Sequence, residues 1–122
     1  MHIEVFDKQN TVLLEIKDER LDVHNSEDLK VQMHSLLNQG RCNLLVDLSA
    51  VRFLDSSGLG TLVAGYKHAE ARNGILKLCG LQPQVRSMFE LTRLHRIFEI
   101  YTSVQEGLDS FKEFANRKAP ET

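Results

Sequence analysis

The run Cys42 to Leu48 (C-N-L-L-V-D-L) constrains the fold more than any other stretch of the chain. It is short and nearly continuously apolar, the pattern of a strand buried on both faces of its sheet. Such a strand needs helices packed above and below it, and the following residues supply one. After Phe53 and Leu54 close the next segment, Leu59, Leu62, Val63 and Tyr66 recur at helical spacing, with Ala69 completing the stripe. Asn73-Gly74 ends that helix, and Ile75 to Cys79 is another apolar strand. Strand, helix and strand joined by tight links make a βαβ unit, whose strands run parallel.

The flanking segments extend this core. Ile3 and Val5 alternate with His2, Glu4 and Phe6, Asp7 to Asn10 is a turn cluster, and Thr11 to Lys17 is rich in Val, Leu and Ile, so a hairpin is expected. Leu21-Asp22-Val23 is expected to extend the sheet briefly. Asn25 reads as a helix N-cap whose side-chain oxygen accepts from an orphan amide, with Asp28 at the third helical position. Leu29, Met33, Leu36 and Leu37 form one helical face, stopped by Asn38-Gln39-Gly40. Pro83 opens a third helix with the stripe Val85, Met88 and Phe89. Leu94, Ile97, Phe98, Ile100 and Tyr101 lead through a turn into a last strand, and Val104, Leu108, Phe111 and Ala115 mark a closing helix. The sum is an α/β layer architecture of about five strands and four helices.

With 122 residues the chain is one ordinary domain, and 42% apolar residues are too many for disorder. Residues 1–115 are expected to form it, with 116–122 a polar tail carrying Pro120 that frays. No apolar run approaches the roughly 18 residues of a membrane span. The amino end carries neither the basic nor the apolar region of a secretory signal. A net charge of −2 with scattered Lys and Arg leaves no electrostatic footprint for nucleic acid or anionic lipid. A cytoplasmic protein without membrane insertion is the expectation.

Motifs for catalysis are missing. Ser56 has Leu54 and Gly58 two residues to either side, where a nucleophile elbow carries two glycines. Val63 stands where a dinucleotide fingerprint needs its third glycine. No phosphate loop or Cys-x-x-Cys occurs, and His2, His24, His34, His68 and His95 lack metal-ligand spacing. The chain reads as a non-enzyme with no cofactor and no metal. Cys42 and Cys79 fall in expected buried strands and read as core. His34 and His68 fall at solvated helix positions without a ligand partner, and Lys67, His68 and Glu70 read as an exposed face. Tyr66 and Phe89 read as core, whereas Phe114 falls off the stripe of the last helix.

Asp55-Ser56-Ser57-Gly58-Leu59-Gly60 stands apart. A strand ends, two hydroxyls and two glycines follow, and a helix begins, so the serines sit where helix amides are unpaired and the dipole is positive. Read structurally, one serine is the N-cap and a tight turn explains the glycines. Read functionally, the site is a phosphorylation switch. A phosphate of about −1.5 to −2 charges there is tolerated by the helix amides, while Asp55 and Asp22 sharpen the change in surface potential. A docked partner then leaves by charge repulsion, with no rearrangement.

D-S-S-G-L-G preceded by N-L-L-V-D-L-S-A-V-R-F-L resembles the core of the STAS domain, in particular the bacterial anti-sigma factor antagonists. L-D-V-H-N-S-E-D-L at 21–29, P-Q-V-R-S-M-F-E-L at 83–91 and I-F-E-I-Y at 97–101 extend the resemblance over nearly the whole chain. The resemblance implies a mixed β-sheet packed on helices. It implies phosphorylation of Ser56 by an ATP-dependent serine kinase that often doubles as the anti-sigma factor, and reversal by a metal-dependent serine phosphatase. The unphosphorylated protein binds the kinase and releases its client, classically a sigma factor. The contact surface it implies is Asp22, Asn25, Asp55, Ser57, Gly58, Leu59, Thr61 and Leu62 around Ser56. Arg93 departs from the pattern, standing where many relatives have glycine, which bears on the local turn.

Two other outputs are compatible with these residues. One is a STAS interaction module serving secretion, biofilm or transport complexes, its serines a structural cap or residual switch. The other is an anion or nucleotide binder using the amides near Gly58 and Gly60, although Arg52 is the nearest basic residue in sequence. Whether Ser56 or Ser57 is modified is open at this level, and a monomer when free is the default.

Overall fold

Strand β2 (Thr11–Ile16) and strand β4 (Asn43–Asp47) lie side by side in parallel, Val12 opposite Leu44 and Leu14 opposite Val46. The computed structural model describes residues 1–8 and 10–118, with side chains through Lys112. Strand β1 (Ile3–Lys8) pairs antiparallel with β2, Ile3 opposite Ile16 and Lys8 opposite Thr11. The hairpin forms as expected, but β1 runs two residues into the expected turn cluster. β4 continues to β6 (Ile75–Cys79), and β6 to the two-residue β7 (Ile100–Tyr101), both in parallel. The five-stranded mixed sheet has the order β1-β2-β4-β6-β7.

The alternation along each strand sorts residues to two cores. Leu14, Leu44, Val46, Leu76 and Leu78 meet helices α1 (Ser26–Asn38), α2 (Ser56–Ala71) and α3 (Pro83–Leu91) through Leu29, Met33, Leu37, Leu62, Ala69, Val85 and Phe89. Leu13, Leu45 and Cys79 point to the other face, under Phe111 and Leu108 of α4 (Val104–Lys118). The run read as doubly buried is therefore covered on both sides. Gly65 admits the Met33 thioether where α1 crosses α2; a Cβ there would stand 2.8 Å from its sulfur.

Several expectations are corrected. Leu21–Val23 does not extend the main sheet. Arg20–Leu21 (β3) pairs instead with Phe53–Leu54 (β5) in a separate two-stranded sheet. Asn25 occupies the N-cap position of α1 but caps no helix amide. Its Oδ1 accepts from the Asp22 amide at 2.9 Å and its Nδ2 donates to the Arg20 carbonyl at 2.8 Å, because the preceding loop offers closer partners. Cys42 precedes β4 and is half-buried, whereas Cys79 is buried in β6, where desolvation pushes its thiol up to about 12. Helix α4 carries on to Lys118, three residues into the expected tail; residues 119–122 lie outside the described part, as do the side chains of Phe114 and Ala115.

His34 and His68 are not solvated singles. They are half-buried and meet edge to face across α1 and α2, with ring centroids 4.5 Å apart. Arg72 donates to His68 Nε2 at 3.2 Å and to Asn38 Oδ1 at 2.9 Å, tying the end of α2 to the end of α1. Arg93, which stands in the turn after α3, adopts a left-handed backbone with φ of 63°. The geometry that favours glycine is kept without the glycine. Lys77 escaped the sequence reading. It lies only 3% exposed in β6, donates to Ser110 Oγ at 2.9 Å, pairs with Glu99 at 3.3 Å and faces the Phe111 ring at 4.4 Å.

Candidate functional site at the start of helix α2

The small β3–β5 sheet sets the site. Register places Arg20 opposite Phe53 and Leu21 opposite Leu54, so the loop 22–25 leaving β3 lies beside the turn 55–57 leaving β5. Arg20 stacks over the exposed Phe53 ring at 4.5 Å. Within the loop, Asp22 Oδ1 accepts from the His24 amide at 2.9 Å and the Asp22 carbonyl accepts from the Ser26 amide at 2.8 Å.

Asp55 joins the two segments. It is the N-cap of α2, with extended backbone, and its Oδ1 accepts from the Gly58 amide at 2.9 Å. Its Oδ2 accepts from the Val23 amide at 3.1 Å. The Gly58 amide, helped by those of Val23 and Ser57, holds the carboxyl below its ordinary value against a smaller opposing effect of burial. The cap is thus the aspartate, and the expectation that a serine caps this helix is corrected. A carboxylate at the end of an extended strand reaches the third amide of the following helix, which leaves the serines at the first two helical positions.

Ser56 is exposed and Ser57 is half-buried. Among the described residues neither hydroxyl engages in a hydrogen bond with the protein. The two glycines have different reasons. A Cβ on Gly58 would run into the Leu21 carbonyl oxygen and stand 2.7 Å from Leu54 Cδ1, so this glycine lets α2 seat against the small sheet. A Cβ on Gly60 would meet nothing within 4 Å. Gly60 lies four residues after Ser56, on the same helical face, and it is exposed.

Asp22, Asn25, Asp55 and Ser57 have half-exposed surfaces, on the two segments that the Asp55–Val23 contact joins. The remaining residues of the expected surface turn inward. Leu59 is 7% exposed, Leu62 is fully buried, and the buried Thr61 hydroxyl donates to the Ser26 carbonyl at 3.4 Å. They seat the helix against α1 and the sheet, and Gly58 is buried beside them. Val23, at 64% exposed, and Phe53, at 54%, are apolar neighbours that the motif did not single out. Phe53 is placed by the pairing of two dipeptides far apart in sequence and Val23 by its amide's bond to Asp55, neither of which periodicity carries.

Residues 2–107 match the sequence model of the STAS domain, and the chain belongs to that family. The anti-sigma F factor antagonist of Paenibacillus polymyxa is 28% identical over 109 residues, covering 88% of this chain and 92% of that protein. The anti-sigma-B factor antagonist of Bacillus subtilis (strain 168) is 29% identical over 108 residues, covering 88% and 97%. The anti-sigma factor antagonist SpoIIAA, in its unphosphorylated form, superposes with a TM-score of 0.80 at 21% identity, covering 92% of this chain and 97% of that one. The phosphorylated form of the Bacillus SpoIIAA gives 0.73 at 21% identity, covering 90% and 99%. The last two show the fold, which is the mixed-sheet STAS fold the sequence resemblance implies. The curated relatives are regulators, and no helix among the described residues is long and apolar enough to cross a membrane.

Proposed function

We propose that this protein is an anti-sigma factor antagonist in a partner-switching pathway, gated by phosphorylation of Ser56. The observation that carries the reading is the cap. Asp55 takes the structural task at the start of α2, so the exposed Ser56 hydroxyl at the first helical position is free for chemistry. The half-buried Ser57 is the less accessible of the two. The names of the relatives support the role, and SpoIIAA exists in a phosphorylated and an unphosphorylated form on this fold.

In the forward step a serine kinase transfers the terminal phosphoryl group of ATP to Ser56 Oγ. The new bond is Oγ–P, the bond broken is that to the departing ADP, and the hydroxyl proton passes to the kinase's base. The product gains about −1.5 to −2 charges beside Asp55, which is itself ionised. The positive end of the α2 dipole offsets part of this charge within the domain, while the Gly58 and Ser57 amides stay with the Asp55 carboxylate. A partner docked on Ser56, Ser57, Asp22, Asn25 and the Asp55 rim meets the remaining negative charge and is released. The unphosphorylated form holds the kinase, which doubles as the anti-sigma factor, and so frees its client. A serine phosphatase hydrolyses phospho-Ser56 and resets the cycle in the cytoplasm.

The test is phosphopeptide mapping and intact mass after incubation with ATP and lysate of the source cell, with Ser56→Ala in parallel. One phosphate on Ser56, absent from the variant, is expected. A phosphate on another residue, or none in a lysate that phosphorylates a control substrate, contradicts the reading.

A further inference from the structure

Strand β1 is hydrogen-bonded on one side only: it heads the sheet order, and no strand among the described residues pairs with its outer edge. That edge carries exposed apolar surface, with Val5 43% and Phe6 37% exposed. An open edge with exposed apolar residues is a template for another strand. The Lys17 amide donates to the His2 carbonyl at 2.9 Å, so the peptide groups of His2, Glu4, Phe6 and Lys8 face β2. Those of Ile3, Val5 and Asp7 therefore face outward. Glu4, Phe6 and Lys8 share one sheet face, and Lys8 Nζ lies 5.7 Å from the Phe6 ring centroid.

We infer that the β1 edge is a self-association surface, on which a second copy of this chain pairs antiparallel about a two-fold axis through Phe6. In that register Val5 and Asp7 exchange backbone hydrogen bonds with Asp7 and Val5 of the second copy. Phe6 faces Phe6 at a non-hydrogen-bonded position, where cross-strand side chains come closest. Glu4 faces Lys8 of the second copy, and Lys8 faces its Glu4. The neighbouring registers lack this match. Centring between Val5 and Phe6 sets Glu4 against Asp7, two like charges. Centring on Val5 sets Glu4 against Phe6 and Ile3 against Asp7. Charges on an edge strand normally repel other strands; here their spacing about Phe6 selects one partner, the same strand. The result is a continuous ten-stranded sheet in place of the monomer the sequence suggested. A single strand pair is a small interface, so the association is weak and concentration-dependent.

The experiment is sedimentation equilibrium of the full chain up to about 1 mM, the range in which small interfaces associate. The wild type is expected to approach twice the chain mass of 13.9 kDa. Glu4→Lys and Lys8→Glu are each expected to weaken association at least about tenfold, since each turns two attractive cross-strand pairs repulsive. The double exchange Glu4→Lys/Lys8→Glu is expected to restore it. Far-ultraviolet circular dichroism identifies any variant that fails to fold, and the remaining single variant then carries the comparison. A wild type that stays monomeric overturns the inference. So do single variants that associate like wild type, and a folded double variant that stays as weak as the singles.

Discussion

Asp55 Oδ2 accepts a hydrogen bond from the Val23 amide at 3.1 Å, across 32 residues of chain. The same carboxylate caps α2 through the Gly58 amide at 2.9 Å. One side chain therefore fixes both the start of the helix that carries Ser56 and the loop that carries Asp22 and Asn25. The two contacts engage both carboxylate oxygens at once, which favours the ionised form, and the fold holds the carboxyl below its ordinary value of 3.8.

Replacing Asp55 by Ala should lower the urea midpoint at neutral pH, because the Gly58 and Val23 amides both lose their acceptor. The sign of the pH dependence follows from linkage. The unfolded carboxyl takes up its proton first as pH falls, so the stabilisation is present above 3.8 and is lost as pH passes through the lower folded value. The gap between wild type and Asp55→Ala should close in acid. A gap of equal size at about pH 7 and about pH 2.5 contradicts the assignment.

The two glycines of the motif should respond in opposite directions. Gly58→Ala forces a methyl group against the Leu21 carbonyl and should cost about 1–3 kcal/mol, the range for overpacking. Gly60→Ala enters open space in a helix and should stabilise by roughly 0.5–1 kcal/mol. That methyl also projects beside Ser56 on the proposed docking face, so the more stable Gly60 variant should bind the kinase less well. Thermal unfolding and calorimetric binding, run on the same two variants, check both halves.

Arg93 holds a left-handed backbone at φ 63°, which costs a non-glycine residue about 1–2 kcal/mol. Arg93→Gly relieves that, offset in part by the greater freedom glycine has in the unfolded chain. The net expectation is a gain of up to about 1 kcal/mol, read from denaturant unfolding. A loss of stability means that the Arg93 side chain makes a compensating contact.

His68 should make stability fall as pH drops below its ordinary value of 6.5. Burial, then the neighbouring His34, then Arg72 hold its folded pKa low, and Arg72 donates to Nε2, which a protonated ring cannot accept. The unfolded state binds the proton first, so stability is full above 6.5 and declines through the lower folded value. His68→Gln should flatten the difference in urea midpoint between about pH 8 and about pH 5. An unchanged slope contradicts it.

The layers of this fold were legible because their signal is periodic. The doubly buried β4 run, the βαβ unit and the stripe of Leu29, Met33 and Leu37 follow from apolar spacing alone. The site was legible as a place but not in its wiring. Three adjacent residues, Asp55, Ser56 and Ser57, can all cap a helix, and only the strand exit at β5 selects Asp55. Asn25 sits at a helix start, yet the Asp22 amide and Arg20 carbonyl hold its side chain in the loop. The β3–β5 pairing joins two dipeptides that are too short for alternation to show. Lys77 reads as polar in sequence, and only the fold reveals Ser110, Glu99 and Phe111 around its ammonium group.

The central claim is that one phosphate on Ser56 abolishes partner binding while the domain keeps its fold. The direct measurement is calorimetric titration of the kinase, isolated with Ser56→Ala as bait, with the unphosphorylated protein, the phosphorylated protein and Ser56→Asp. The account predicts tight binding of the unphosphorylated protein and of Ser56→Ala. It predicts loss of at least about a hundredfold in affinity on phosphorylation, roughly 2.7 kcal/mol, with Ser56→Asp between the two. Equal affinity for the phosphorylated and unphosphorylated proteins, each shown to be folded, would contradict it.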